Sequence, residues 1–261
     1  MPKVILFDLD DTLIAQDACD DAAFHAVCDF AHRQRGVDAG ALDQAVQAVR
    51  PIARQLWREA PTSPYTNRIG ISYTEGLWGH FAGNEPELRE LHDWAPTYRR
   101  EAWSRALMEQ GVEDISLAEE LAALFGQERR ARRFVFPDTA PALRGLRANY
   151  RMGLITNGAP DLQREKLVHS GLEPFFDAII VSGEVNVGKP DPRIFALALE
   201  RLGARPDEAA MVGDSPARDI AGALSAGVRA VMIKRIGLQR DLAGITPDAE
   251  IATLDHLRAA L

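Results

Sequence analysis

Lysine is the scarcest charged residue in this chain. Only Lys3, Lys166, Lys189 and Lys234 stand among its 30 basic residues, so chemistry that needs an amine has few candidates. Basic charge as a whole also falls short, with 30 Lys+Arg against 38 Asp+Glu and a net charge of −8 over 261 residues. That balance excludes a general binder of nucleic acid or anionic membrane, whose affinity rests on basic surface. Cysteine is nearly missing. Cys19 and Cys28 lie nine residues apart, and on one helix nine steps of about 100° set them on opposite faces, unable to bridge. Two thiols fit a reducing cytoplasm. Long apolar runs are absent too: no stretch reaches the ~18 residues of a membrane span, and the opening apolar run is too short for a signal peptide. The expectation is a soluble, cytoplasmic protein, with monomer or homodimer left open.

What is present is an ordinary globular composition, 46% hydrophobic and 26% charged. Short, continuous apolar runs at 4–7, 152–155, 178–181, 209–212 and 228–233 end abruptly in Gly, Asp or Ser. Such runs predict strands buried on both faces, the signature of a parallel sheet. Helical periodicity fills 139–149, 161–170, 192–202 and 216–226 between them. Pro192 and Pro216 suit first helical turns, and Gly171, Gly203 and Gly227 suit helix ends. Alternating strands and helices predict a doubly wound, Rossmann-like α/β core. Residues 15–133 differ: strand-like runs are missing, apolar positions repeat helically, and all four Trp (57, 78, 94, 103) fall there. The predicted organisation is a core of residues 1–14 and 134–261 with an inserted α-helical cap at 15–133.

The first strand ends in Asp8-Leu9-Asp10-Asp11-Thr12. On an extended chain Asp8 and Asp10 share a face roughly 6.6 Å apart, a spacing that suits metal binding and divided acid/base work. Three other segments join them. The second strand runs into Thr156-Asn157-Gly158, Lys189 lies in Gly188-Lys189-Pro190-Asp191-Pro192, and the fourth strand ends in Gly213-Asp214-Ser215 with Asp219 one turn on. In an open α/β sheet strand ends converge on one edge, the usual ligand crevice. Four carboxylates, a hydroxyl and one ammonium gathered there suit a divalent cation with a phosphoryl group.

In order and strand context these four segments resemble the haloacid dehalogenase-like hydrolases, over about 140 residues of core, with the insertion where that family carries its helical cap. The resemblance implies a Mg²⁺-dependent phosphatase acting on a small-molecule phosphate monoester. Asp8 would be the nucleophile, forming an aspartyl-phosphate. Asp10 would protonate the leaving alcohol and then serve as base on the hydrolytic water. Mg²⁺ would be held by the Asp8 and Asp214 carboxylates and the Asp10 carbonyl, with Asp219 a ligand or its partner. Thr156 and the Asn157 backbone would bind phosphoryl oxygens, and Lys189 would neutralise their charge as the one lysine of the site. A phosphomutase using the same aspartates is the enzymatic alternative, and a catalytically silent binding protein the non-enzymatic one. Carbon–halogen cleavage needs no acid such as Asp10. Schiff-base phosphonate cleavage needs a cap lysine, and residues 15–133 contain none.

Three further patterns are read as structural. Gly183–Lys189 matches the first seven positions of a nucleotide-binding P-loop, but Pro190 in the eighth lacks both hydroxyl and amide donor. His25, Cys28 and His32 share a helix face with metal-like spacing and no fourth ligand. Arg129, Arg130, Arg132 and Arg133 predict a solvated helix end favourable to the macrodipole, with an arginine reaching an anionic substrate as the functional alternative.

Overall fold

The fold is described from a computed structural model, which covers residues 2–238 and 240–261. Strand β1 (Val4–Phe7) leads into six helices: α1 (Gln16–Arg35), α2 (Ala39–Arg58), α3 (Ser63–Ile69), α4 (Tyr73–Gly76), α5 (Pro86–Met108) and α6 (Ile115–Ala131). Then follow α7 (Thr139–Leu146), β2 (Arg151–Thr156), α8 (Pro160–Ser170), β3 (Ala178–Val181), α9 (Ser182–Val185), α10 (Pro192–Leu202) and β4 (Ala209–Gly213). A π-helical turn (Pro216–Ile220), α11 (Ala221–Ser225), β5 (Arg229–Ile233), β6 (Ala249–Ile251) and α12 (Leu257–Ala260) complete it.

The six strands form one parallel sheet in the order β3-β2-β1-β4-β5-β6. All four residues of β1 are fully buried, which explains why its sequence shows no polar alternation. Val4 and Leu6 pack on one face with Phe195 and Ala198 of α10, while Ile5 and Phe7 pack on the other with Leu143, Leu146 and Leu167. From β1 the chain runs outward to β2 and β3, then returns to the far side of β1 for β4. In open α/β sheets such a reversal is where ligands bind, which here points beyond the carboxyl ends of β1 and β4. The α/β fold is the one the sequence predicts. Gly171 and Gly203 end α8 and α10 with φ of 68° and 55°, left-handed values that glycine adopts without strain.

Two features differ from expectation. The helix predicted over 216–226 forms, but its start is π-helical: Asp219 and Ile220 both donate to the Ser215 carbonyl, at 2.8 and 3.2 Å, and the widened turn runs directly into α11. This turn lets the Asp219 carboxylate accept from the Ser215 amide at 2.9 Å. The sixth strand, three residues long, is too short to show a pattern in the sequence.

The chain separates into two compact units, one of Met1–Gln16, Arg68–Gly70 and Phe134–Leu261, the other of Asp17–Asn67 and Ile71–Arg133. Three residues inside the expected insertion thus belong with the sheet. Arg68 Nε donates to Asn186 Oδ1 at 2.9 Å, and Ser182 Oγ donates to the Ile69 carbonyl at 2.5 Å.

The second unit is helical, with α5 packed against α2 and α6. Its core is aromatic: Trp57 and Trp94 lie 5.2 and 5.0 Å from the Tyr98 ring, and Phe24 lies 4.4 Å from Phe125. Both cysteines are free and buried. Cys28 Sγ contacts the Leu42 carbonyl at 3.8 Å, and His32 Nδ1 lies 3.0 Å from the Val37 carbonyl, so packing accounts for both. The solvated reading of the arginine run fails at Arg129. Its guanidinium is buried, ion-paired with the equally buried Asp20 and 4.7 Å from the Trp78 ring. An amphipathic surface pattern cannot reveal a partner 109 residues away. Among the described residues no helix is long and apolar enough to cross a membrane.

Removing one member of a buried ion pair strands the other charge. Arg129→Ala is therefore expected to destabilise the helical unit by about 3–5 kcal/mol in urea unfolding. A loss below about 1 kcal/mol, the worth of an exposed pair, would show Asp20 to be neutral or solvated there.

Candidate functional site

Each strand of the central trio hands a polar side chain to the crevice as it ends. Asp8 follows β1, its amide donating to the Val212 carbonyl of β4 at 3.0 Å. Thr156 closes β2, and Asp214 follows β4. Gly213 is required here by close approach: a Cβ would sit 2.4 Å from the Asp219 carboxylate.

Lys189 joins these segments. Its ammonium lies 2.5 Å from Asp8 Oδ1, 2.7 Å from Asp219 Oδ1 and 2.8 Å from the Ile155 carbonyl oxygen. An ammonium has three N–H donors, and three oxygens surround this one. The backbone of Lys189 is gripped as well, since Asn157 Oδ1 accepts from its amide at 2.8 Å and Asn157 Nδ2 donates to its carbonyl at 2.9 Å. Burial opposes the Lys189 charge, but the Asp219 and Asp8 carboxylates outweigh it and raise its pKa.

Asp8, Asp214 and Asp219, all buried, each offer a carboxylate oxygen within 4.8 Å of the others. Burial pushes the Asp8 carboxyl up to about 7 against the pull of Lys189, with repulsion from Asp219 and Asp10 adding to the rise. Burial, then Asp8 and Asp219, also raise Asp214 well above the usual carboxylate range, while Arg240 opposes the shift. Three crowded, dehydrated carboxylate oxygens are the hard donor set of a divalent cation such as Mg²⁺ or Ca²⁺. Formal charge agrees. Asp8, Asp10, Asp11, Asp214 and Asp219 face Lys166, Lys189 and Arg240, leaving two negative charges in excess.

Asp10 and Thr156 also have protein partners, which the sequence does not point to. Both Asp10 oxygens lie within 3.0 Å of Lys166 Nζ. Thr156 donates its hydroxyl to Gln163 Oε1 at 3.0 Å. Lys189 is therefore not the only lysine at this edge of the sheet. Lys166 and Gln163 were within reach of sequence reasoning, because they stand three apart on the helix that follows β2 and so share a face. Arg240 was not. It donates to Asp214 Oδ2 at 2.9 Å and Asp11 Oδ2 at 3.0 Å from a loop with no motif, 26 and 229 residues away.

Comparison with known proteins follows the same lines. A profile of the haloacid dehalogenase-like hydrolases matches residues 2–227. A phosphoserine phosphatase of Thermus thermophilus is 42% identical over 253 residues, which are 97% of this chain and 96% of that protein. Among solved structures, a HAD phosphatase from Thermococcus onnurineus is 30% identical with a TM-score of 0.58, covering 98% of this chain and 96% of that one. A 2-haloacid dehalogenase from Pseudomonas syringae is 29% identical with a TM-score of 0.58, covering 100% and 98% respectively.

The Asn157 clamp carries its own expectation. Asn157→Ala leaves a buried donor and acceptor of Lys189 unpaired, and should lower unfolding free energy by about 1–3 kcal/mol per group left unpaired. Urea titration of the metal-free protein measures it, and an unchanged midpoint would show that water replaces the amide.

Proposed function

The chain belongs to the haloacid dehalogenase-like hydrolases, and we propose that it hydrolyses a small phosphate monoester through an aspartyl-phosphate on Asp8, with phosphoserine as the substrate to try first. The observation that carries the reaction is the buried group of Asp8, Lys189, Asp214 and Asp219 beyond β1 and β4. The substrate rests on the phosphoserine phosphatase that is 42% identical across nearly the whole chain.

The Asp8, Asp214 and Asp219 carboxylates would hold Mg²⁺ together with the Asp10 carbonyl. When bound, the ion supplies positive charge that keeps Asp8 ionised and offsets the phosphate's own charge. The rest belongs to the chain. Asp8 attacks phosphorus, and the leaving alkoxide takes a proton from the Asp10 carboxyl. Asp10, now a carboxylate, accepts a proton from the water that attacks the phosphorus of the aspartyl-phosphate. Inorganic phosphate leaves and Asp8 is regenerated. Lys189, 2.5 Å from Asp8 Oδ1, lies beside any phosphoryl group bonded to that carboxylate. The Asn157 backbone amide would receive a phosphoryl oxygen at the same strand end, and the Thr156 hydroxyl would do so on turning its one proton away from Gln163. Fixed charges in a water-poor site are what transfer from so unreactive an ester requires.

Phosphoserine with Mg²⁺ should release inorganic phosphate, and EDTA or Asp8→Asn should abolish the release. Asp10→Asn should retain the ion and slow turnover by at least ~10²-fold, the usual weight of acid/base catalysis. Folded, Mg²⁺-loaded protein that releases nothing from a panel of monoesters would overturn the reading, and interconversion of isomeric sugar phosphates without net release would replace it by a mutase.

The raised carboxyls fix a pH dependence. Without metal, Asp8 titrates about 7 in the folded state and near its ordinary value when unfolded. The folded form then holds more protons between those values, so stability falls as pH rises through that window. A cation binds the carboxylates and not the acids, so the gain in Tm on adding Mg²⁺ should be larger at about pH 8 than at about pH 5.5. Equal gains, by scanning calorimetry, would contradict the ligand assignment.

A further inference from the structure

Asp10 is fixed by residues that the reaction, as described, does not use. Lys166 Nζ reaches Asp10 Oδ1 at 3.0 Å, Asp10 Oδ2 at 2.9 Å and Gln16 Oε1 at 2.5 Å. The Lys166 side chain is only 5% exposed and that of Asp10 18%, so the pair lies largely beneath the surface. Gln163, fully buried, lies between the two motifs. Its Oε1 accepts from the Thr156 hydroxyl at 3.0 Å, and its Nε2 points to Asp10 Oδ2 at 3.4 Å. Gly158 makes room for it: at φ 150°, a Cβ there would stand 2.3 Å from Gln163 Nε2. One face of α8 thus joins the side chain after β1 to the side chain that ends β2.

We propose that Lys166 and Gln163 are positioning residues that hold the Asp10 carboxyl group in register with the phosphoryl site, through Gln163 to Thr156, so that it meets the leaving-group oxygen. The proposal rests on the reading of Asp10 as the group that protonates that oxygen. A carboxylate on a loop can rotate about two torsions. The ammonium on both of its oxygens and the amide at its side restrict that rotation, and a near-attack geometry lost by about an ångström costs on the order of 10²-fold in rate. An ion pair present only for stability has no need of a buried amide leading to the phosphate-binding hydroxyl.

The test compares two probes in single-turnover and burst kinetics with Mg²⁺. p-Nitrophenyl phosphate expels a weakly basic phenolate that leaves without a proton, whereas phosphoserine expels an alkoxide that needs one. In Lys166→Met the p-nitrophenolate burst should keep its wild-type rate, while single-turnover cleavage of phosphoserine falls by roughly 10²-fold. Gln163→Met, which leaves Lys166 in place but also removes the partner of the Thr156 hydroxyl, should lose more on phosphoserine than on p-nitrophenyl phosphate. Equal losses on both esters would mean that the pair only supports the fold, and wild-type rates on both would mean that Asp10 positions itself; either result overturns the proposal. Asp10→Asn, run beside them, separates the two levels of inference. If Asp10→Asn fails to discriminate between the esters, the acid role itself is wrong. If it discriminates and Lys166→Met does not, only the positioning role is lost.

Discussion

A buried ammonium between two buried carboxylates is the constraint on which the rest of this structure depends. The Lys189 ammonium donates to Asp8 and to the Ile155 carbonyl and is ion-paired with Asp219. A charge so dehydrated is tolerable only with such partners. Its position dictates much around it. Asn157 holds its backbone, Gly213 lacks a side chain so that Asp219 can approach, and the turn after β4 widens to carry Asp219 inward. The same arrangement leaves Asp8, Asp214 and Asp219 crowded together with more negative charge than the protein neutralises. A divalent cation fits that deficit, and a nucleophilic carboxylate flanked by positive charge is what phosphoryl transfer uses.

Much of this is legible in the sequence because it is local. The buried strands announce themselves as uninterrupted apolar runs, and three residues of the candidate site stand within a residue or two of where such a run stops: Asp8 after Phe7, Thr156 after Ile155 and Asp214 after Gly213. Lys189 and Asp219 could be placed because the order of the segments resembles a known family. What escaped is non-local or irregular. Nothing in the neighbourhood of Arg240 announces a salt bridge to Asp214, and nothing near Arg129 announces Asp20. The π-helical turn at Pro216–Ile220 was hidden because its residues carry an ordinary helical pattern. Lys166 lies between these cases: the helix face was predictable, but its meeting with Asp10 depends on how closely β1 and β2 pair.

The lysine shortage takes on a different meaning in three dimensions. Two of the four lysines stand at one edge of one sheet, each clamping a different carboxylate after β1, and the other two form exposed pairs with Glu208 and Glu250. Arginine serves almost everywhere else, including the buried pair that holds the helical unit. A compact ammonium can sit among three oxygens where a planar guanidinium cannot, which gives a physical reason for lysine at both positions, beside Asp8 and beside Asp10.

Covalent phosphorylation of Asp8 is the step on which the proposed reaction turns. Acid-quenching the Mg²⁺-loaded enzyme within its first turnover of phosphoserine, followed by peptide mapping by mass spectrometry, tests it directly. A hydroxylamine-labile phosphoryl group is expected on Asp8 and on no other residue. Turnover with no phosphorylated enzyme at any quench time, or with the phosphoryl group on another side chain, would contradict it.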